Sequence, residues 1–169
     1  MNLLIVESPG KIEKLKKILG RGWNIKASMG HFRTLASDGE DNLGFDLLEK
    51  SIKMRFKPKD SKSSKFILEL KSWVKQASQV YIASNPDREG EVIAWHLYQS
   101  IPRSEAKKIR RVTFAEITDK AVKAAIANPR ALDQNLVDSG LARSCLDKLV
   151  GFRASPLVWN LGAKSVGRV

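Results

Sequence analysis

Carboxylates are the informative residues of this chain, because cations outnumber them and because several gather beside strand-like segments. Asp87, Glu89 and Glu91 alternate directly after the apolar run Val80 to Ala83, and Glu7 follows the run Asn2 to Val6. In a parallel sheet both runs end on the same edge, where open α/β sheets place their sites. Carboxylates converging within a basic surface suit an oxygen-ligated Mg²⁺, which takes one or two protein acids plus phosphate oxygens. The same acids equally suit the start of a helix, where the macrodipole favours negative charge. Spacing alone leaves both readings open.

The remaining polar motifs narrow the chemistry. Ser8-Pro9-Gly10-Lys11 invites comparison with a phosphate-binding P-loop, but Ile5 stands where the first glycine belongs and Ile12 follows the lysine. The motif fails, so no nucleoside triphosphate is implied. Lys11 is either a point charge for a phosphate or a solvated helix lysine. His31, in a Gly-His-Phe-Arg loop, is a candidate phosphate donor or proton shuttle, or simply a solvated loop residue. His96 follows Trp95 on an apolar helix and reads as packed. The two histidines are too far apart for a zinc motif, and the single cysteine, Cys145, excludes an internal disulfide. Arg143 and Asp147 stand i, i+4, a spacing that describes a surface ion pair as well as a site pair.

These side chains need a scaffold, and hydrophobic periodicity supplies one. Asn2 to Glu7 reads as a strand buried on both faces, with Ser8 and Pro9 opening a helix that carries Ile12, Leu15, Ile18 and Leu19 to a stop at Gly20. Trp23 to Ser28 reads as a second strand, and the loop Met29 to Leu35 follows it. Ile52 to Lys57 alternates strictly, with Ile52, Met54 and Phe56 on one face and Lys53, Arg55 and Lys57 on the other. Lys59 to Ser64 reads as a linker, Phe66 to Ala77 as a helix, and Val80 to Ala83 as a strand running into the acidic segment. A helix over Val92 to Leu97, a strand over Ile109 to Phe114 and a helix over Ile117 to Ala127 complete the alternation. The fold class is therefore α/β, a largely parallel sheet flanked by helices. After Asn128-Pro129 the pattern is helical only, with Val137, Leu141, Cys145 and Leu149 on one stripe. A boundary is placed between a domain over 1–128 and a short all-α segment over 129–169, whose last residues, with no cap, read as a cut end.

Composition sets the class of partner. Of 169 residues, 30 are Lys or Arg against 18 Asp or Glu, a formal charge of +12 that points to a polyanion. With 43% hydrophobic residues the chain can bury a core. It has no apolar run near the ~20 residues that span a bilayer and no signal peptide. A soluble, cytoplasmic protein is expected, with no membrane partner.

Taken in order, ESPGK, GHFRTL, NPDREGEVIAWHL, RVTFAEIT, LARSCLDKLVGFRASPLVW and SVGRV resemble the N-terminal part of bacterial type IA DNA topoisomerases, from residue 3 to residue 169. The resemblance implies a Toprim domain to about residue 128, then the beginning of the helical domain lining a single-strand DNA groove. It implies nucleoid association and a Mg²⁺ site on Glu7, Asn85, Asp87 and Glu89. It implies catalytic roles for Glu7, Lys11, Arg143 and Asp147, and DNA contacts from Lys11, His31, Arg33, Arg111, Arg143 and Arg168. The Lys53-Arg55-Lys57 face and the stretch from Arg103 to Arg111 are further candidates for backbone contact. The reaction implied for a complete enzyme is Mg²⁺-dependent, ATP-independent relaxation of negatively supercoiled DNA.

Two positions depart from the family pattern. Asn85 replaces the first acid of the metal triad, removing a charged ligand while keeping an amide oxygen, so weaker Mg²⁺ affinity is expected. Ser144 replaces a second arginine after Arg143. The nucleophilic tyrosine of the family has no counterpart here, since Tyr81 and Tyr98 lie outside any matching motif, and the chain alone is not expected to relax DNA. A Mg²⁺-dependent Toprim nuclease and a non-catalytic single-strand DNA-binding module are the alternatives.

Overall fold

A computed structural model describes the backbone over residues 1–160 and the side chains over residues 1–153. Its centre is a four-stranded, all-parallel sheet in the order β2-β1-β7-β8, formed by β1 (Asn2–Val6), β2 (Trp23–Ala27), β7 (Val80–Ala83) and β8 (Ile109–Val112). The apolar run of β1 explains its central place. Leu3 and Ile5 pack on one face beside Leu70, Val74, Ile82, Ile93 and Leu97, whereas Leu4 and Val6 pack on the other beside Leu15, Val112 and Val122. Apart from Ile82 of β7 and Val112 of β8, those neighbours come from α2 (Ser61–Gln76) and α3 (Arg88–Ser100) on the first face, and from α1 (Ile12–Leu19) and α4 (Asp119–Ala127) on the second. The expected α/β architecture is present as three layers.

The chain leaves β1 toward β2 on one side and continues through β7 to β8 on the other. The strand order thus reverses between β1 and β7. In such sheets this point opens a crevice beyond the carboxyl ends of the strands. The register pairs Val6 with Ala83, so Glu7 and Ser84 emerge side by side at that crevice.

Several elements differ from the sequence reading. Ile52 to Lys57 is not one strand: β5 (Ser51–Met54) pairs antiparallel with β4 (Phe45–Leu48), while β6 (Phe56–Pro58) pairs antiparallel with β3 (Arg33–Leu35). The ladder breaks at Arg55, whose guanidinium turns to Asp38 at 2.8 Å and Asp46 at 2.5 Å. Its hydrogen bonds to Asp46 and then to Asp38 raise its pKa further. The cationic face expected from Lys53, Arg55 and Lys57 therefore loses its middle charge to internal pairs. Ile52 is correspondingly exposed rather than buried. Helix α2 begins at Ser61, not Phe66, because Asp60 accepts a hydrogen bond from the Ser63 N–H at 2.7 Å and caps it. Strand β8 ends at Val112, and Thr118 caps α4.

The final helix, α5 (Gln134–Asn160), lies against α3. Val137, Leu141 and Cys145 are buried, as their spacing predicted. Gly140 permits the close approach: a Cβ there would stand 2.4 Å from Val92 Cγ2 and 3.1 Å from Arg88 Cγ. The SVGRV motif and Arg168 lie outside the described residues.

Candidate functional site

Two loops meet at the crevice. The first, after β2, is drawn to β1 by the Ser28 N–H donating to Val6 O at 2.8 Å and the Gly30 N–H donating to Glu7 O at 3.2 Å. Met29 and Gly30 both adopt positive φ, 60° and 79°, which turns the chain back over the strand ends and presents His31. The second is the acidic segment after β7. Asp87 caps α3, its Oδ1 accepting the Gly90 N–H at 2.7 Å. Gly90 is required by space, since a Cβ there would stand 2.2 Å from Asn85 O. The Ser84 hydroxyl closes the turn on Gly90 O at 2.5 Å.

The side chains of this turn meet those of the facing segments. His31 Nε2 lies 2.8 Å from Glu89 Oε2, and the Lys11 ammonium donates to Asn85 Oδ1 at 3.4 Å. Both contacts are solvent-accessible. The structure thus gathers Lys11, His31, Asn85, Asp87 and Glu89 around the strand end that carries Glu7. The N-terminus of α3 adds unpaired N–H groups that favour an anion.

Beneath the turn lies an ion-pair network that the sequence reading missed. Glu91 and Arg111 are both fully buried, with the Arg111 guanidinium 2.6 Å from Glu91 Oε1. Arg111 also donates to the backbone oxygens of Ile82, Ser84, Asn85 and Val112, at 2.5–3.1 Å. Arg130 pairs with the same Glu91 oxygen, and the Asp133 N–H donates to the other at 3.0 Å. Burial lowers the Arg111 pKa, and the hydrogen bond it donates to Glu91 opposes that shift. Every guanidinium nitrogen of Arg111 is committed inside the fold, so the DNA contact expected of it is replaced by a supporting role beneath Asn85. The only sequence signal for this was an acid, Glu91, inside an otherwise apolar helix.

Other expected residues occupy separate positions. Arg143 and Asp147 are exposed on α5, with Nε and Oδ2 3.5 Å apart. Arg143 lies one turn beyond Gly140, which packs close to Arg88 of α3, and among the described residues it forms no hydrogen bond or ion pair with the crevice side chains described above. Ser144 donates back to Gly140 O at 3.0 Å. Arg33 is half-buried, with its guanidinium 5.4 Å from the Phe56 ring centre. His96 is buried against Phe56, and its pKa is lowered to about 3 by burial first and then by the charges of Arg33 and His31. Tyr81 packs on Trp23, and Tyr98, on α3, packs from that helix against the core with its pKa raised by burial. The stretch after Pro102 folds into a 3₁₀ helix (Arg103–Lys108) in which Lys108 pairs with Glu105 at 2.5 Å.

The donor set at the crevice is hard oxygen: three carboxylates and one amide. That chemistry fits Mg²⁺, which needs few protein ligands when phosphate completes its shell. Among the described residues, no three acids or histidines are clustered closely enough to hold a metal unaided. Asp87 and Glu89 already spend one oxygen each on Gly90 and His31. The residues therefore fit a weakly bound ion that is completed by substrate.

With this geometry in view, comparison with known proteins is direct. Residues 2–117 match the model of the Toprim domain. The chain belongs to the Toprim family. Over its whole length it is 44% identical to DNA topoisomerase 1 of Rickettsia typhi and 45% identical to the plasmid DNA topoisomerase I of Xylella fastidiosa. It spans 22% and 24% of those proteins. Full-length topoisomerase I from Thermotoga maritima superposes with a TM-score of 0.82 at 36% identity, over 98% of this chain and 27% of that one. The Toprim chain is thus homologous to type I DNA topoisomerases, which are isomerases. Among its described residues no helix is long and apolar enough to cross a membrane.

Proposed function

We propose that this Toprim chain forms the acidic half of the DNA cleavage and religation site of a type IA topoisomerase, acting on single-stranded or negatively supercoiled DNA without a nucleoside triphosphate. The observation that supports this most is the convergence of Glu7, Lys11 and the Asn85–Glu89 turn at the reversal of strand order, within a chain carrying +12 charge. A nucleoid setting accords with that partner.

Glu7, on the strand end, moves a proton at the scissile phosphate ester. Lys11, a mobile ammonium held only by an amide oxygen at 3.4 Å, shifts to a phosphate and neutralises it. Arg143 supplies a second positive charge from α5, and Asp147 orients it. His31, steadied by Glu89, donates to phosphate, as does Arg33 beyond it. Mg²⁺, held by Asp87 and Glu89 with Glu7 and Asn85 beside them, supplies charge neutralisation and phosphate positioning when bound. The attacking tyrosine comes from outside this chain, because Tyr81 and Tyr98 are packed away from the crevice.

Incubation of the chain with negatively supercoiled plasmid, with and without Mg²⁺, tests this against its rivals. The expected result is unchanged topology. Mg²⁺-dependent nicking that survives replacement of both Tyr81 and Tyr98 by Phe would instead assign a nuclease. Relaxed closed circles lost in that double variant would place the nucleophile within the chain.

A further inference from the structure

A cavity of about 350 Å³ is lined by Arg33, Met54, Phe56, Trp95 and Gln99, and Arg33 lies two residues beyond His31 of the crevice. It belongs to none of the groups assigned above except Arg33, and its lining is unusual for a surface hollow. Phe56 and Trp95 meet edge to face, with ring centres 5.5 Å apart, and the Arg33 guanidinium lies over the Phe56 ring. Trp95 and Gln99 stand one turn apart on α3, and the exposed Gln99 amide borders the hollow.

Arg33 is the decisive residue. It is half-buried, and burial lowers its pKa, yet among the described residues no carboxylate lies within 4.0 Å of it and no acceptor takes its N–H groups. By contrast Arg55, on the strand segment joining β5 to β6, has two carboxylate partners. A partly desolvated guanidinium without a partner, beside two aromatic faces and an amide, matches the recognition of a nucleotide. The rings and guanidinium plane stack on a base, the charge meets phosphate, and the amide reaches a base edge.

We infer that this hollow, built by Arg33, Phe56, Trp95 and Gln99, receives one nucleobase of a single-stranded DNA whose neighbouring phosphate lies at the Glu7–Glu89 crevice. The inference rests on the DNA-binding reading above. Its position supports that occupant. His31 and Arg33 flank the buried Phe32, two positions apart and so at most about 7 Å along the chain. That is about two nucleotides at 3.4 Å each, fewer on a stretched strand. A strand with a phosphate at His31 therefore carries an adjacent base to the hollow. Neutral His96, packed beneath Phe56, keeps a second positive charge out of its floor.

The test measures fluorescence anisotropy of two labelled probes of equal length, an oligothymidylate and an all-abasic sugar-phosphate strand, against the intact chain without Mg²⁺. The unaltered chain is expected to prefer the base-bearing strand by roughly tenfold. Trp95→Ala and Gln99→Ala should reduce that preference, with Trp95→Phe retaining most of it. Lys11→Ala should weaken both probes alike. Far-ultraviolet circular dichroism identifies any variant that fails to fold, and exposed Gln99 keeps the test available if Trp95→Ala does. Equal binding of the two probes by the unaltered chain overturns the hollow while leaving DNA binding intact. So does a preference unchanged in folded Trp95→Ala and Gln99→Ala proteins. No binding of either probe at low salt overturns the DNA-binding reading and the hollow with it.

Discussion

Asn85 stands where the resemblance to type IA topoisomerases implies an acid, and its neighbour is a cation. The Lys11 ammonium rests on the Asn85 amide oxygen at 3.4 Å, so a metal approaching this corner meets a positive charge and one fewer negative ligand. Restoring the acid with Asn85→Asp is expected to tighten Mg²⁺ binding by about five- to tenfold, because affinity follows the charge count of the ligands. The measurement is the Mg²⁺ concentration dependence of the melting temperature, since a ligand selective for the native state raises it by mass action. Equal dependence in the two proteins would remove position 85 from the metal site. His96 gives a second expectation. Its folded pKa of about 3 lies below the ordinary value of 6.5, so between those limits the unfolded chain binds the extra proton. Stability is therefore fully present above pH 6.5 and falls as the solution is acidified toward pH 3, by up to about 1.4 kcal/mol per pH unit. Urea unfolding at pH 7 and pH 4.5 should show this loss, and His96→Gln should flatten it.

At the scale of elements, the buried cluster of Glu91, Arg111 and Arg130 joins α3, β8 and the segment leading into α5, and it holds the backbone of Ser84 and Asn85 from below. Removing Arg111 leaves buried Glu91 with only the part-exposed Arg130 and the Asp133 N–H and leaves four backbone oxygens without their donor, so Arg111→Met is expected to cost about 3 kcal/mol in urea unfolding. The double change Glu91→Leu with Arg111→Met should recover much of that loss, because desolvation of both charges is then avoided. This cluster also shows what the sequence could and could not carry. The two central strands were legible because Leu3 to Val6 and Val80 to Ala83 are near-continuous apolar runs, a pattern produced by burial on both faces. The turn at Asp87 was legible because an acid opening an apolar helix is a local signal. Arg111 was not, since its burial depends on an acid twenty residues earlier in the chain, and charge alone argues for the surface. The break at Arg55 was hidden for the same reason: alternation over Ile52 to Lys57 is a period-two pattern, whereas Asp38 and Asp46, which interrupt it, are specified by the tertiary fold. Among site residues, Glu7, Lys11 and the Asn85–Glu89 turn follow from strand order. Arg143 and Asp147 came from a motif, and their place relative to the crevice depends on how α5 is carried.

Over the whole molecule the +12 charge is not evenly available to a polyanion. Arg111 is sealed in the core, Arg55 is neutralised by two aspartates, and Arg130 is tied to Glu91. Lys11, Arg33 and Arg143 remain within reach of solvent, bordering or approaching an acidic crevice that would by itself repel phosphate. On the function proposed above, a DNA strand is drawn by the rim and admitted to the crevice only where a cation offsets Glu7, Asp87 and Glu89. Counterion release makes this partition measurable. For single strands, each phosphate neutralised contributes about 0.7 to the slope of log affinity against log salt. Arg143→Ala should therefore lower the magnitude of that slope by about 0.7 for an oligothymidylate, and Lys11→Ala should do the same. Arg55→Gln removes an equal formal charge but an arginine already committed to carboxylates, so its slope should match that of the unaltered chain. If all three variants shift the slope equally, binding responds to net charge alone and the rim has no defined path. If only Lys11 and Arg143 shift it, the strand runs from the β1 edge toward α5, as the proposed function expects.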